Sequence, residues 1–97
     1  MTHNEVRTFV VVSTAHLTRQ TARFLDDTPA REWPCAGGSY GDYGWFVYAH
    51  EENGESSSDC IPDDLFGVMT WGRNRGFHYI LFDCDGDLVA DLPNYDW

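Results

Sequence analysis

The chain has 97 residues, with 16 acids against six arginines and no lysine, for a formal charge of −10. Such a field argues against direct binding to nucleic acid or to an anionic membrane, and favours basic partners. No apolar run approaches the roughly 20 residues that cross a bilayer, so the sequence predicts a soluble, cytoplasmic protein folding as one domain over residues 1–97. The aromatic supply is generous, with four Trp, five Tyr and six Phe, enough to build a core at this length. Cys35, Cys60 and Cys84 are odd in number, lack C-x-x-C spacing and follow no signal peptide, which predicts free thiols in a reducing compartment.

In chain order, Val6 to Ser13 (VRTFVVVS) is β-branched with both alternating faces largely apolar, and predicts a buried central strand. A helix follows, with Thr18 as N-cap and Ala22, Phe24 and Leu25 turned inward; Asp26 and Asp27 oppose its dipole and should end it early. Thr28 to Asp42 holds two prolines and three glycines and reads as a long connection. Tyr43 to His50 (YGWFVYAH) predicts the second strand, and the polar run after it a loop. Pro62 opens a second helix at its first position. Asp63 and Asp64 lie where the dipole favours them, Leu65, Val68 and Met69 face inward, and Arg73, Arg75 and Gly76 close it. Phe77 to Asp83 is a third strand, Asp85-Gly86 a hairpin turn, and Leu88 to Leu92 a short fourth strand. The expected fold is therefore α+β: a single two-layer domain of β-α-β-α-β-β order, its small, mostly antiparallel sheet carrying both helices on one face.

The run Asp83-Cys84-Asp85-Gly86-Asp87 carries the densest set of candidate chemical groups. An apolar strand entering D-x-D-G resembles the nucleophile motif of haloacid-dehalogenase-type phosphatases. That reaction needs a cation, usually Lys, to hold the phosphoryl group, and further acids to complete a magnesium shell. The chain has no Lys, only fourteen residues follow Asp83, and Asp87 adds charge that repels phosphate. A calcium loop fails as well, because its glycine should follow the third acid and a Glu should close it. The glycine-rich GGSYG stretch lacks the helix and Lys of a phosphate cradle. The four His are scattered and read as structural. No catalytic residue, metal or cofactor is therefore expected. The best enzymatic alternative is a pocket near Ser13, His16, Tyr40 and Asp42.

The acids themselves remain. From Glu32 to Asp64 eight acids occur without a base, and after Arg75 five more: Asp83, Asp85, Asp87, Asp91 and Asp96. Acids spaced along strands, loop tips and a helix start can imitate a phosphate backbone and enter a basic, DNA-reading cleft. The candidate surface comprises Asp59, Asp63, Asp64, Asp83, Asp85, Asp87 and Asp91, with Tyr40, Tyr43, Tyr95 and Trp97 as aromatic anchors.

The stretches STAH (Ser13 to His16), GDYGWFVY (Gly41 to Tyr48), YILFDCDGD (Tyr79 to Asp87) and LPNYDW (Leu92 to Trp97) resemble an uncharacterised family of small bacterial proteins frequent on plasmids, prophages and other mobile elements. That family carries no assigned catalytic residues. In its acidity and size the chain is also similar to anti-CRISPR and antirestriction proteins, many of which mimic nucleic acid. The resemblance implies an anti-CRISPR-type inhibitor whose partner is the basic DNA-binding surface of a CRISPR effector subunit, in a type I surveillance complex.

Overall fold

The structure, a computed structural model, describes residues 6–49 and 61–95. Its elements are β1 (Phe9–Ser13), α1 (Arg19–Asp27), β2 (Gly37–Tyr40), β3 (Gly44–Tyr48), α2 (Asp63–Asn74) and β4 (Tyr79–Asp83), with single 3-10 turns at Thr14–His16 and Ala30–Glu32. The four strands form one sheet in the order β1-β4-β3-β2. The β1–β4 pair is parallel, and the β4–β3 and β3–β2 pairs are antiparallel. The fold is α+β, as expected, with a mixed sheet and both helices on one face.

Alternation along the strands sorts the two faces. Val12, Trp45, Val47, Ile80 and Phe82 point to the helices and are buried; Leu17, Ala22, Leu25, Leu65, Val68 and Met69 close over them. Gly72 lets α2 lie directly on the sheet, since a Cβ there would run into the Ile80 side chain. Each helix starts and stops as its sequence dictates. The Thr18 hydroxyl accepts from the Thr21 amide at 3.2 Å to cap α1. Pro62 sits one position earlier than expected, as the cap of α2, and Gly76 ends that helix with φ 88°.

Three elements depart from the sequence-based expectation. The expected strand at Leu88 to Leu92 is a turn, in which the Leu92 amide donates to the Val89 carbonyl at 3.1 Å. β4 already pairs on both edges, with β1 and β3, so no edge is left for a hairpin partner. Asp85-Gly86 instead redirects the chain sideways. The Asp83 carboxylate accepts from the Asp85 amide at 2.9 Å, the Asp83 carbonyl accepts from Gly86, and the Ser13 amide then donates to Asp87 at 3.0 Å across the edge of β1.

The fourth strand is β2, inside the stretch expected to be a connection. Glycine is a poor strand former, but a Cβ on Gly37 would meet the Phe46 carbonyl and the Trp33 ring. The small residues let this edge strand pass beneath Trp33.

β1 is an outer strand rather than a central one. Its second apolar face, with Phe9 56% and Val11 42% exposed, is left open by the helices among the described residues, both of which lie on the opposite side.

Candidate functional site

The turn after β4 and the β2–β3 turn meet at one end of the sheet. The Cys84 amide donates to the Tyr43 carbonyl at 2.8 Å and holds them together. Asp85 and Asp87 are exposed there, Asp83 is half-buried, and Asp42 is exposed on the neighbouring turn. Asp26 reaches the same end from α1, where its carboxylate accepts from the Trp45 indole at 3.0 Å. A shallow concavity of about 400 Å³ lies among Thr14, Asp26, Asp42, Tyr43, Trp45 and Cys84. Asp26 and Asp42 line the concavity, Asp83, Asp85 and Asp87 follow on the adjoining segment at the end of β4, and among the described residues no arginine or histidine lines it. Tyr40 and Tyr43, both exposed, stand beside it with ring centroids 5.9 Å apart.

The other acids of the candidate surface fall elsewhere. Asp63 is exposed on the first turn of α2. Asp64 turns inward, accepting from the Thr18 amide at 2.8 Å, the Thr18 hydroxyl at 3.2 Å and the Thr21 hydroxyl at 2.8 Å. Asp91 pairs with Arg75 at 2.5 Å, and that guanidinium lies 5.0 Å from the centre of the Trp71 ring. Asp63, Asp64, Asp91 and Tyr95 border a groove of about 460 Å³ along α2. Asp59 and Trp97 lie outside the described residues. The acids therefore form two groups, one at the strand ends and one beside α2, rather than a single row.

The alternative pocket is not assembled. His16 is buried, and both ring nitrogens are engaged. Nε2 accepts from the Val89 amide at 2.9 Å, which puts the proton on Nδ1, and Nδ1 donates to the Pro93 carbonyl at 2.7 Å. The neutral ring fastens the final segment to the first strand–helix turn. Ser13 is also buried, its hydroxyl accepting from the Ala15 amide at 3.0 Å. His16 lines the groove beside α2, whereas Asp42 lines the concavity at the strand ends.

Asp83, Cys84 and Asp85 bring three ligand atoms within 4.8 Å of one another. One of those carboxylates already accepts from the Asp85 amide, and we assign no ion to the group. Cys84 is exposed and Cys35 buried; burial pushes the Cys35 thiol from 9.0 up to about 11. Among the described residues no helix is long and apolar enough to cross a membrane.

Sequence reasoning missed Asp26, whose place depends on a contact nineteen residues away with Trp45. Local pattern carries no trace of it. It also missed the uncovered sheet face, although the signal was there: VRTFVVVS and YILFD are apolar at both alternating positions.

The fold and its strand-end carboxylates define a small acidic α+β domain. The chain belongs to the family of unknown function DUF5983, matching its C-terminal domain over residues 9–97. No curated protein sequence and no solved structure matches the chain.

Proposed function

We propose that the protein is a non-catalytic inhibitor of a bacterial defence complex, carried by mobile elements and acting in the host cytoplasm. In this reading it is an anti-CRISPR-type DNA mimic: it occupies the basic, duplex-reading surface of a type I surveillance complex and prevents DNA from binding there. The observation that supports the reading is the strand-end concavity lined by Asp26 and Asp42, with Tyr40 and Tyr43 beside it and the turn carrying Asp83, Asp85 and Asp87 bonded to Tyr43. Carboxylates on adjoining turns supply repeated negative charge, and the exposed rings supply apolar anchors that a phosphate backbone lacks.

The test is a mobility-shift assay of target DNA with a purified type I effector. Asp42, Asp83, Asp85 and Asp87 are changed together to Asn; Asp26 is spared because it holds Trp45 in place. Inhibition should fall at least about tenfold, and residual inhibition should weaken steeply with salt. Unchanged inhibition by the neutralised variant would sink the mimic. The alternative, a small enzyme or ligand-binding domain using His16, draws no support from a ring whose two nitrogens are both bonded inside the fold.

A further inference from the structure

The sheet face away from the helices carries two apolar rows. Phe9, Tyr79 and Tyr48 lie side by side in one, and Val11, Leu81 and Phe46 in the next, as the pairing register dictates. Phe9, Val11 and Phe46 are 56%, 42% and 39% exposed, and a concavity of about 340 Å³ opens among Arg7, Phe9, Phe46, Tyr79 and Leu81. Among the described residues no acid lines that concavity. Asp83, one step beyond Leu81, marks one end of it; Arg7, one step before Phe9, marks the other and lies 5.5 Å from the centre of the Tyr48 ring.

We propose that this face is a homodimer interface, closed by a second copy packed sheet on sheet across a twofold axis. The axis runs perpendicular to the strands at the level of Val10 and Ile80, the row between the two apolar rows. Rotation about it exchanges the rows. Phe9 lies over the partner's Val11, Tyr79 over its Leu81 and Tyr48 over its Phe46, so that the first two pairs set an aromatic ring against an aliphatic side chain. The same rotation brings Arg7 to the level of the partner's Asp83, because Arg7 and Asp83 are equally far from the Val10–Ile80 row. One axis therefore satisfies both the apolar rows and the opposite charges, which is the self-complementarity an isologous contact demands.

The available area sets the strength. Three strands of five residues and one of four, about 4.8 Å apart and rising about 3.3 Å per residue, present roughly 19 by 17 Å. Covering both copies buries on the order of 1,000 Å² once side-chain relief is included, the lower end of specific interfaces. The dimer is a micromolar one, formed by the protein alone and requiring no defence complex.

Sedimentation velocity over about 5–500 µM is the test. The native chain should pass from monomer to dimer in that range. Val11→Glu and Phe46→Glu, both on exposed positions, should each weaken association at least about tenfold while leaving circular dichroism unchanged. Arg7→Asp should weaken it too, and adding Asp83→Arg should restore it, a cycle that stands even if an apolar-row variant fails to fold. A native chain that stays monomeric throughout, or a dimer indifferent to Val11→Glu and Phe46→Glu, overturns the proposal. Since no effector is present in this measurement, and Val11 and Phe46 lie outside the acids changed in the inhibition assay, the outcome for those two variants is independent of that assay.

Discussion

Thr21 and Asp64, 43 positions apart, are joined by a 2.8 Å hydrogen bond from hydroxyl to carboxylate. Because Asp64 also accepts from the Thr18 amide, a residue in the first turn of α2 completes the N-terminal cap of α1. One carboxylate thus serves both helix starts, through the dipole of its own helix and through donors of the other.

Asp64→Ala should therefore cost about 2 kcal/mol, the scale of a part-buried, charge-assisted bond lost at a cap, with a fall in Tm of about 10 °C. Asp63→Ala, on the exposed neighbour, should stay within about 0.5 kcal/mol. Paired urea and thermal melts of the two variants check the contrast. Equal effects would mean that the capping network contributes nothing.

His16 makes a second long-range link. Truncation to Ala leaves the Val89 amide and Pro93 carbonyl without partners and opens a cavity, at a cost of about 3 kcal/mol. The loss should be local at first: limited proteolysis should cut His16→Ala between Cys84 and Tyr95 under conditions where the native chain is resistant. His16→Gln, which can offer one acceptor and one donor, should recover part of the protection.

These two links explain what the sequence could and could not disclose. Helix α1 was legible because Thr18, Ala22 and Leu25 carry the whole local argument; so was α2, and so were β3 and β4 from their apolar runs. β2 is not, since its two glycines are poor strand formers and the segment is recruited by the exposed edge of β3 and by the space under Trp33. Asp85-Gly86 by itself favours a hairpin and a strand at Leu88 to Leu92, but β4 has no free edge to receive one. At the candidate site, the acids after β4 were visible as a run. Their separation from Asp64, and the addition of Asp26, depended on tertiary contacts that no spacing encodes.

Cys35 gives an alkaline signature. Its folded-state thiol ionises near 11 rather than 9.0, because burial disfavours the thiolate. The unfolded chain therefore loses this proton first. The protection is complete below about pH 9 and declines as pH rises toward 11, by roughly 2–3 kcal/mol in all. Cys35→Ala should flatten that part of the stability profile relative to the native chain, measured by urea midpoints at pH 8 and 10.5. At pH 8 iodoacetamide should modify exposed Cys84 readily and Cys35 only after unfolding.

Trp71 supplies a prediction of opposite sign. Among the described residues its indole nitrogen is buried with no hydrogen-bond partner, as is the Thr70 hydroxyl. Trp71→Phe removes an unsatisfied donor while keeping a ring against Arg75, so stability should change by less than about 1 kcal/mol, with a gain permitted and a large loss not. Thr70→Val should behave alike. A fall of several kcal/mol in either variant would require a partner for that atom.

The parallel pairing of β1 with β4 also has a consequence during synthesis. Among the described residues the first strand finds its one sheet neighbour 70 residues later, when most of the chain has been made. The Ser13 and Ala15 backbone groups wait longer still, for Asp87 and Tyr95. As the chain leaves the ribosome, FVVVS therefore emerges long before anything can pair with it, sticky on both sides and without a charge inside it. Such a topology folds late and all at once, and leaves the nascent strand with only Glu5, Arg7, Arg19 and Arg23 as flanking charges to keep it from aggregating until the last strand arrives.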